Sequence, residues 1–276
     1  MLWGMSFIFI QLSTEDFGPT SAMFLRVLFG FLCLIPFVPW YEAKRIPTKS
    51  IAIILIAGIL NSALPFTLLA FASQYTASGI LSITNASTVF LTMLIASLWI
   101  KEAVTRWQLL GSVMGIVGLV LLFKDSLSFA QQQSHIGILL SIAACTSYAI
   151  AITLTRKYLT HIKARLLGGV SLLGATFALL PFALLNWPVH ELTIQKFFSP
   201  VIIGVFCTGI AYIIYFNLIA NVGAAKTAVV TMIVPFFGVL MGILILNERL
   251  TMHTVFGGLL IITGALFVMQ LNRQRI

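Results

Sequence analysis

The chain has 276 residues, of which 60% are hydrophobic and only 8% charged, and it carries a formal net charge of +9. An average soluble domain is roughly 25% charged, and one water-soluble core cannot hide this much apolar surface, so a soluble fold is excluded. Lipid resolves the conflict, because it solvates the outside of a helical bundle while each helix satisfies its own backbone.

A hydrocarbon core of about 30 Å calls for about 20 apolar residues per helix. Ten apolar runs follow one another, at 1–13, 19–40, 50–73, 76–100, 105–124, 135–156, 163–186, 198–221, 226–246 and 251–271. The first would reach only about 20 Å at 1.5 Å per residue, so helix 1 is expected to be thin or to begin upstream. It lacks the basic flank and small-residue cleavage site of a signal peptide. Glu15 and Asp16 fall in the expected first loop, and Pro19 stands near the start of run two. Runs three and four are joined around Gln74–Tyr75, and nine and ten around Asn247–Arg249. Such tight connections force antiparallel neighbours. Thr105 and Gln108 have the spacing of a capping box ahead of run five. No stretch is polar or long enough for a separate soluble domain, so the chain reads as one compact membrane unit.

Lysine and arginine placement sets the orientation. With a cytoplasmic N-terminus, the cytoplasmic ends hold Lys44, Arg45, Lys49, Lys101, Arg106, Arg156, Lys157, Lys163, Arg165, Lys226, Arg273 and Arg275. The opposite ends hold Lys124, Lys196 and Arg249. Both termini are therefore expected in the cytoplasm. The basic charge is a topology signal and calls for no nucleic-acid partner. Cys33, Cys145 and Cys207 all lie inside apolar runs and read as small hydrophobes. The four histidines share no metal-ligand spacing, and no metal or other cofactor is expected.

The chain also repeats itself. Residues 77–118 align with 223–264 at an offset of 146, pairing Phe90 with Phe236, Glu102 with Glu248, Thr105 with Thr251, Gly111 with Gly257 and Gly118 with Gly264. "LIPF" at 34–37 pairs with "LLPF" at 179–182 at an offset of 145. The expected fold is all-α, with ten transmembrane helices as two five-helix repeats, 1–130 and 131–276. Five is odd, so the second repeat enters the membrane from the opposite side. Inverted repeats suit secondary transporters, whose halves exchange conformations around a midplane site.

"LWGMSFIFIQL…GPTSAMFLRVLFG" at 2–30, "SITNASTVFLTMLIASLWIKEAV" at 82–104 and "GAAKTAVVTMIVPFFGVLMGILILNERLT" at 223–251 resemble the EamA-type members of the drug/metabolite transporter superfamily. The resemblance covers nearly the whole chain. It implies export or exchange of amino acids, related metabolites or drugs across what is expected to be a bacterial inner membrane. It also implies a cavity lined mainly by helices 1, 3, 4, 6, 8 and 9, with 5 and 10 peripheral. Where the family often has proline in helices 4 and 9, this chain has Pro235 but Val89 at the matching place. The two helices are therefore not expected to bend alike.

Candidate substrate-binding residues are Trp3, Arg26, Asn61, Asn85, Tyr148, Thr208, Tyr212 and Thr231. Arg26 lies about seven residues inside helix 2, where a central arginine costs about 2.5–3.5 kcal/mol. Two readings offset that cost: binding an anionic substrate group, or snorkelling to nearby headgroups and helix-end carbonyls. Trp3 and Tyr148 occupy matching places and suit an aromatic wall, while the serines, threonines and asparagines serve equally as interhelical glue. Candidate gates and hinges are Pro65, Glu102, Lys226, Pro235 and Glu248. Glu102 and Glu248 also suit the positive N-terminal ends of the helices that follow. Lys226 also reads as a positive-inside anchor. Gly111, Gly115, Gly118, Gly257 and Gly264 permit close helix contact, within one chain or between two copies. No Asp or Glu lies mid-helix, which argues against a proton relay.

The expected function is secondary transport of a small amphipathic metabolite by alternating access. The expected partners are that substrate and the lipid bilayer, in a monomer or homodimer. A nucleotide-sugar or other organic-anion exchanger is the alternative within the fold. A membrane-embedded enzyme is disfavoured, because no catalytic constellation is present.

Overall fold

The fold is taken from a computed structural model of the chain, which describes residues 1–126, 134–189, 193–222, 227–248 and 251–270. Among the described residues there is no strand. Helix α1 covers 2–17 and α2 covers 19–34, and the two meet at Gly18, whose φ of 72° and ψ of 162° break the helical path before Pro19. The remaining spans are α3 (Thr48–Ala72), α4 (Ser78–Trp99), α5 (Arg106–Ser126), α6 (Ser134–Tyr158), α7 (Ala164–Leu185), α8 (Ile194–Asn221), α9 (228–246) and α10 (Met252–Gln270). Among the described residues, each of the ten expected runs thus recurs as a long helix. The first corrects its expected boundary: α1 continues through Glu15 and Asp16 to Phe17, because one glycine with positive φ makes the reversal and no loop is needed.

Helix α8 shows that α1 and α2 form a hairpin. Along α1, Phe17 meets Phe197 edge-on at 4.9 Å and Trp3 meets Tyr212 at 6.4 Å, so α1 runs against α8. Along α2, Gly204 sits against Phe29 and Gly209 against Cys33, so α2 runs with α8. The close approach is steric: a Cβ on Gly204 would lie 2.5 Å from that of Phe29, and one on Gly209 2.6 Å from that of Cys33.

The repeat is visible in the backbone. The connections after α4 and α9 each carry a left-handed residue, Lys101 (φ 56°) and Asn247 (φ 54°), at the 146-residue offset. The next residue then bonds back into its helix, Glu102 N–H to the Ala96 carbonyl and Glu248 N–H to the Gly242 carbonyl. Both following helices start on a threonine cap, Gln108 N–H to Thr105 Oγ1 and Thr254 N–H to Thr251 Oγ1. Helices α3 and α8 each relax into a π-helical turn, at Ile59–Ala63 and Ile202–Ile210, the same repeat position at the 145-residue offset.

Helices α5 and α10 pack on each other at glycine pairs that exchange under a two-fold rotation. A Cβ on Gly111 would strike the Gly264 carbonyl at 2.4 Å, and one on Gly118 the Gly257 carbonyl at 2.6 Å. Since Gly111 is the mate of Gly257 and Gly118 of Gly264, the two contacts are images of each other. These four glycines therefore make a contact within the chain. Gly115 faces the Phe90 ring instead. The main core, centred on residues such as Ile10, Met23, Ile54, Leu81, Leu172 and Ile203, lies away from this pair, which has its own smaller cluster around Ile83, Leu122 and Ile261. Helices 5 and 10 are peripheral.

Both α4 and α9 are interrupted at matching positions. In α4 the break falls at Ala86–Ser87, where Ala86 and Ser87 bond to Ile83 and Thr84, three residues back. In α9 a 3-10 stretch, Ala228–Ile233, precedes the α-helical Val234–Leu246. Val89 in place of proline does not spare α4 its break, and the two interruptions differ in form, a turn in α4 and a 3-10 stretch in α9. Pro235 takes the first turn after the interruption, where a missing N–H costs least.

Candidate functional site

The side chain of Arg26 is inside the bundle, with the residue only 4% exposed, so it does not snorkel. Its Nε donates to Thr208 Oγ1 at 3.1 Å, and the hydroxyl of Thr208 donates in turn to the Ile203 carbonyl at 2.9 Å. That second bond spans five residues and belongs to the π-turn of α8. The turn therefore holds the acceptor that fixes the guanidinium, a common use of such turns at functional sites. The guanidinium carbon lies 3.5 Å from the centre of the Phe66 ring, a cation–π seat. Among the described residues, no carboxylate is within ion-pair distance of Arg26, and its two terminal nitrogens have no hydrogen-bond acceptor. Four of its five N–H groups are thus left for something else.

Phe66 is placed by the matching turn in α3. Within the five-residue register that Leu64 N–H makes to the Ile59 carbonyl, the next acceptor is the Leu60 carbonyl, and its partner in line is Pro65, which has no N–H. Ser147 of α6 supplies the missing donor, its Oγ lying 2.7 Å from the Leu60 oxygen. Pro65 therefore stabilises an irregular turn and directs the chain into Phe66. Asn61, on the same turn, reaches the Tyr212 hydroxyl with its Nδ2 at 3.4 Å.

Aromatic rings surround this centre. Trp3 meets Tyr212 edge-on at 6.4 Å and Tyr215 at 5.1 Å, while Tyr148 meets Phe66 at 6.4 Å. Helices α1 and α6 are repeat mates, as are α8 and α3, so the Trp3–Tyr212 and Tyr148–Phe66 pairs are equivalent helix contacts from the two halves. Tyr148, Cys207 and Tyr212 lie within electrostatic reach of the guanidinium. The structure thus brings together Trp3, Arg26, Asn61, Tyr148, Thr208 and Tyr212 of the expected set, and adds Phe66 and Tyr215.

Asn85 and Thr231 are repeat mates at the interruptions of α4 and α9. Asn85 lies at the end of the first α-helical piece of α4, and Thr231 within the 3-10 stretch of α9. The sulfur of Cys145 lies 3.5 Å from the carbonyl of Thr84 and 3.9 Å from that of Asn85, at the α4 break. Lys226 lies outside the described residues.

The two glutamates part company. Glu248 accepts the backbone N–H groups of Ser78 (2.7 Å) and Gly79 (2.9 Å) at the start of α4. Glu102 makes an ion pair with Arg156 at 3.1 Å, with the two side chains 39% and 46% exposed. At the end of the bundle that carries the termini, a hollow of about 350 Å³ opens between Glu42, Arg45, His161 and Lys163. There Lys163 Nζ lies 2.6 Å from Glu42 Oε1, which holds the Glu42 carboxyl below its usual range and raises the Lys163 ammonium. A smaller hollow of about 90 Å³, lined by Leu34, Arg165, Phe216 and Asn217, reaches Phe216, whose ring packs on Tyr212 and Tyr215.

Among the described residues, seven stretches are long and apolar enough to cross a membrane, and one of them, Leu2–Phe37, is the broken α1–α2 pair. Comparison with known proteins agrees with this architecture. The profile of the EamA-like transporter family matches residues 1–124 and again 135–270. An "Uncharacterized transporter" of Archaeoglobus fulgidus is 26% identical over 96% of this chain and 92% of its own length. A "Probable amino-acid metabolite efflux pump" of Escherichia coli is 23% identical over 96% of this chain and 90% of its own. A solved crystal structure superposes with a TM-score of 0.67 at 17% identity, covering 99% of this chain and 95% of the other, a likeness of fold.

Proposed function

The chain belongs to the EamA-like transporter family, and from that premise we propose that it moves small carboxylate-bearing amphipaths, amino acids or close relatives, by alternating access around Arg26. It is an integral membrane protein with transporter function. The cargo class, the direction of export or exchange, a bacterial inner-membrane location and cytoplasmic termini belong to this proposal. The observation that carries it is the buried guanidinium with one hydrogen bond and no carboxylate partner among the described residues.

A carboxylate docking on the two terminal nitrogens would supply the paired N–H···O contacts that guanidinium geometry favours. Hydrogen bonds to charged groups are worth about 1.5–3 kcal/mol each, comparable to the cost of holding an arginine at this depth. Phe66 and the Trp3, Tyr148, Tyr212 and Tyr215 rings offer apolar faces for the rest of the substrate, and cation–π faces for an α-ammonium group. One guanidinium suits one carboxylate better than the diphosphate of a nucleotide-sugar. The name of the Escherichia coli relative points toward the same cargo class.

Ligand-induced thermal stabilisation of the purified protein tests this reading, using a panel of amino acids and the amines that lack their carboxyl group. Stabilisation by an amino acid and none by its amine is expected. Equal stabilisation by both would reject carboxylate recognition.

A further inference from the structure

Among the described residues, helices α4 and α9 are held together at the Glu248 end of the bundle. At the Glu248 end they are zipped: a Cβ on Gly238 would lie 2.3 Å from the side chain of Ser82, and one on Gly79 3.0 Å from Glu248 Oε2. A Cβ on Gly242 would lie 2.3 Å from that same oxygen. The Glu248 carboxylate sits in the notch these two glycines leave, and both its oxygens are used, one on Ser78 N–H and one on Gly79 N–H. Helix α4 has no cap of its own, since Ala77 precedes it and offers no side-chain acceptor. Its first N–H groups are therefore satisfied by a residue 170 positions away, bonded from the far side of a helix pair.

At the other end Glu102 has a different partner although its local backbone is prepared for the same device. Glu102 repeats the local geometry of Glu248, from the left-handed residue before it to the hydrogen bond into its own helix. Yet the mate of Gly242 is Ala96, which is buried, so the matching position carries a methyl where Gly242 leaves a notch. The mates of Gly79 and Gly238 are Ala225 and Thr92, so no position of the notch repeats as glycine. Glu102 turns outward to Arg156 instead.

We propose that Glu248 is the latch of the gate at its end of the bundle. Its release from Ser78 and Gly79 lets α4 part from α9, and the missing notch at the other end makes the terminus-bearing end the one that opens more readily. This rests on the alternating-access reading and assigns it an order of stability: with no substrate bound, the Glu248 end stays shut.

The test is a distance measurement between spin labels at Gln74→Cys and Met252→Cys, two exposed positions at the Glu248 end. Cys33→Ala removes the half-buried native thiol, while Cys145 and Cys207 are buried. The otherwise native protein should give one narrow distance, with any longer component under about 10%. Glu248→Gln, which loses one charged acceptor, and Gly242→Ala, which fills the notch, should each make the longer component the larger share. Glu102→Gln should leave the distance unchanged. A single unchanged distance in both Glu248→Gln and Gly242→Ala, each monodisperse and helical, would overturn the latch. The measurement needs no substrate, so it separates two failures. An end that opens in a protein moving no carboxylate keeps the latch and rejects the cargo; transport without opening does the reverse.

Discussion

The two five-helix halves repeat their backbone irregularities and do not repeat their chemistry. The π-turns of α3 and α8, the interruptions of α4 and α9, the left-handed Lys101 and Asn247, and the threonine caps at Thr105 and Thr251 all fall at matching positions. Arg26, by contrast, has Ser171 as its mate, and the buried hydroxyl of Ser171 reaches the Ile54 carbonyl at 3.4 Å. Glu248 caps a helix while Glu102 makes an exposed ion pair. Each half must bend in the same way if the halves are to exchange shapes, so the bending devices are duplicated. One site needs one cation, and one supply of charge suffices.

The largest break in this comparison should come from its most unequal pair. Arg26→Ala should lower transport at least about 100-fold, as expected from losing about 3 kcal/mol of charged hydrogen bonding, and Arg26→Lys should restore only part of it because a lysine lacks the planar fork. The mate substitution Ser171→Ala should keep transport within a few-fold of wild type. Initial rates in proteoliposomes at matched protein content decide both.

The glutamates come next. Glu248→Ala removes two charge-assisted bonds at a partly buried helix start and should cost about 2–4 kcal/mol of stability. Glu102→Ala removes an exposed pair, worth roughly 0.2–1 kcal/mol. Thermal unfolding in detergent should therefore show a clear drop in midpoint for the first and a marginal one for the second. Equal drops would mean that the two ends are closed alike.

Ser147→Ala sharpens the comparison of the π-turns. It leaves the Leu60 carbonyl without its donor, at a cost of about 1–3 kcal/mol, and should displace Phe66 from the Arg26 guanidinium. The turn in α8 contains no such proline, so the matching loss does not exist there. Weaker substrate affinity with an intact fold is the expected result, measured by thermal stabilisation against ligand concentration.

The smallest effect concerns the loops. The Glu42 carboxyl is held below its ordinary value by Lys163, so its contribution is present at neutral pH and is lost as pH falls through the depressed value. The raised Lys163 ammonium contributes below its ordinary value and is lost only as pH rises past the raised one. Stability should be flat from about pH 6 to 8 on this account, with a slight acid-side loss that Glu42→Gln abolishes.

The ten helices were legible because apolar length and charge placement report directly on a bilayer. The repeat was legible at Glu102, Thr105, Gly111 and Gly118, whose spacing survives in the second half. Arg26 stood out by the cost of its position. Its seat on Phe66 did not, since an aromatic beside a proline in an apolar run looks like any lipid-facing residue. The π-turns leave no mark in composition, because they change which carbonyl a residue addresses and not which residue it is. The latch was half visible: Glu248 could be named from its place in the repeat. The asymmetry lay in Gly79 and Gly242 against Ala225 and Ala96, differences of one methyl each that acquire meaning only when a carboxylate is seen in the space.

The most direct test of the account is counterflow of labelled amino acids into proteoliposomes, comparing wild type with Arg26→Ala. Saturable accumulation that a carboxylate-bearing competitor suppresses and its amine does not, lost in Arg26→Ala, is the predicted result. Undiminished accumulation by a well-folded Arg26→Ala protein would contradict it.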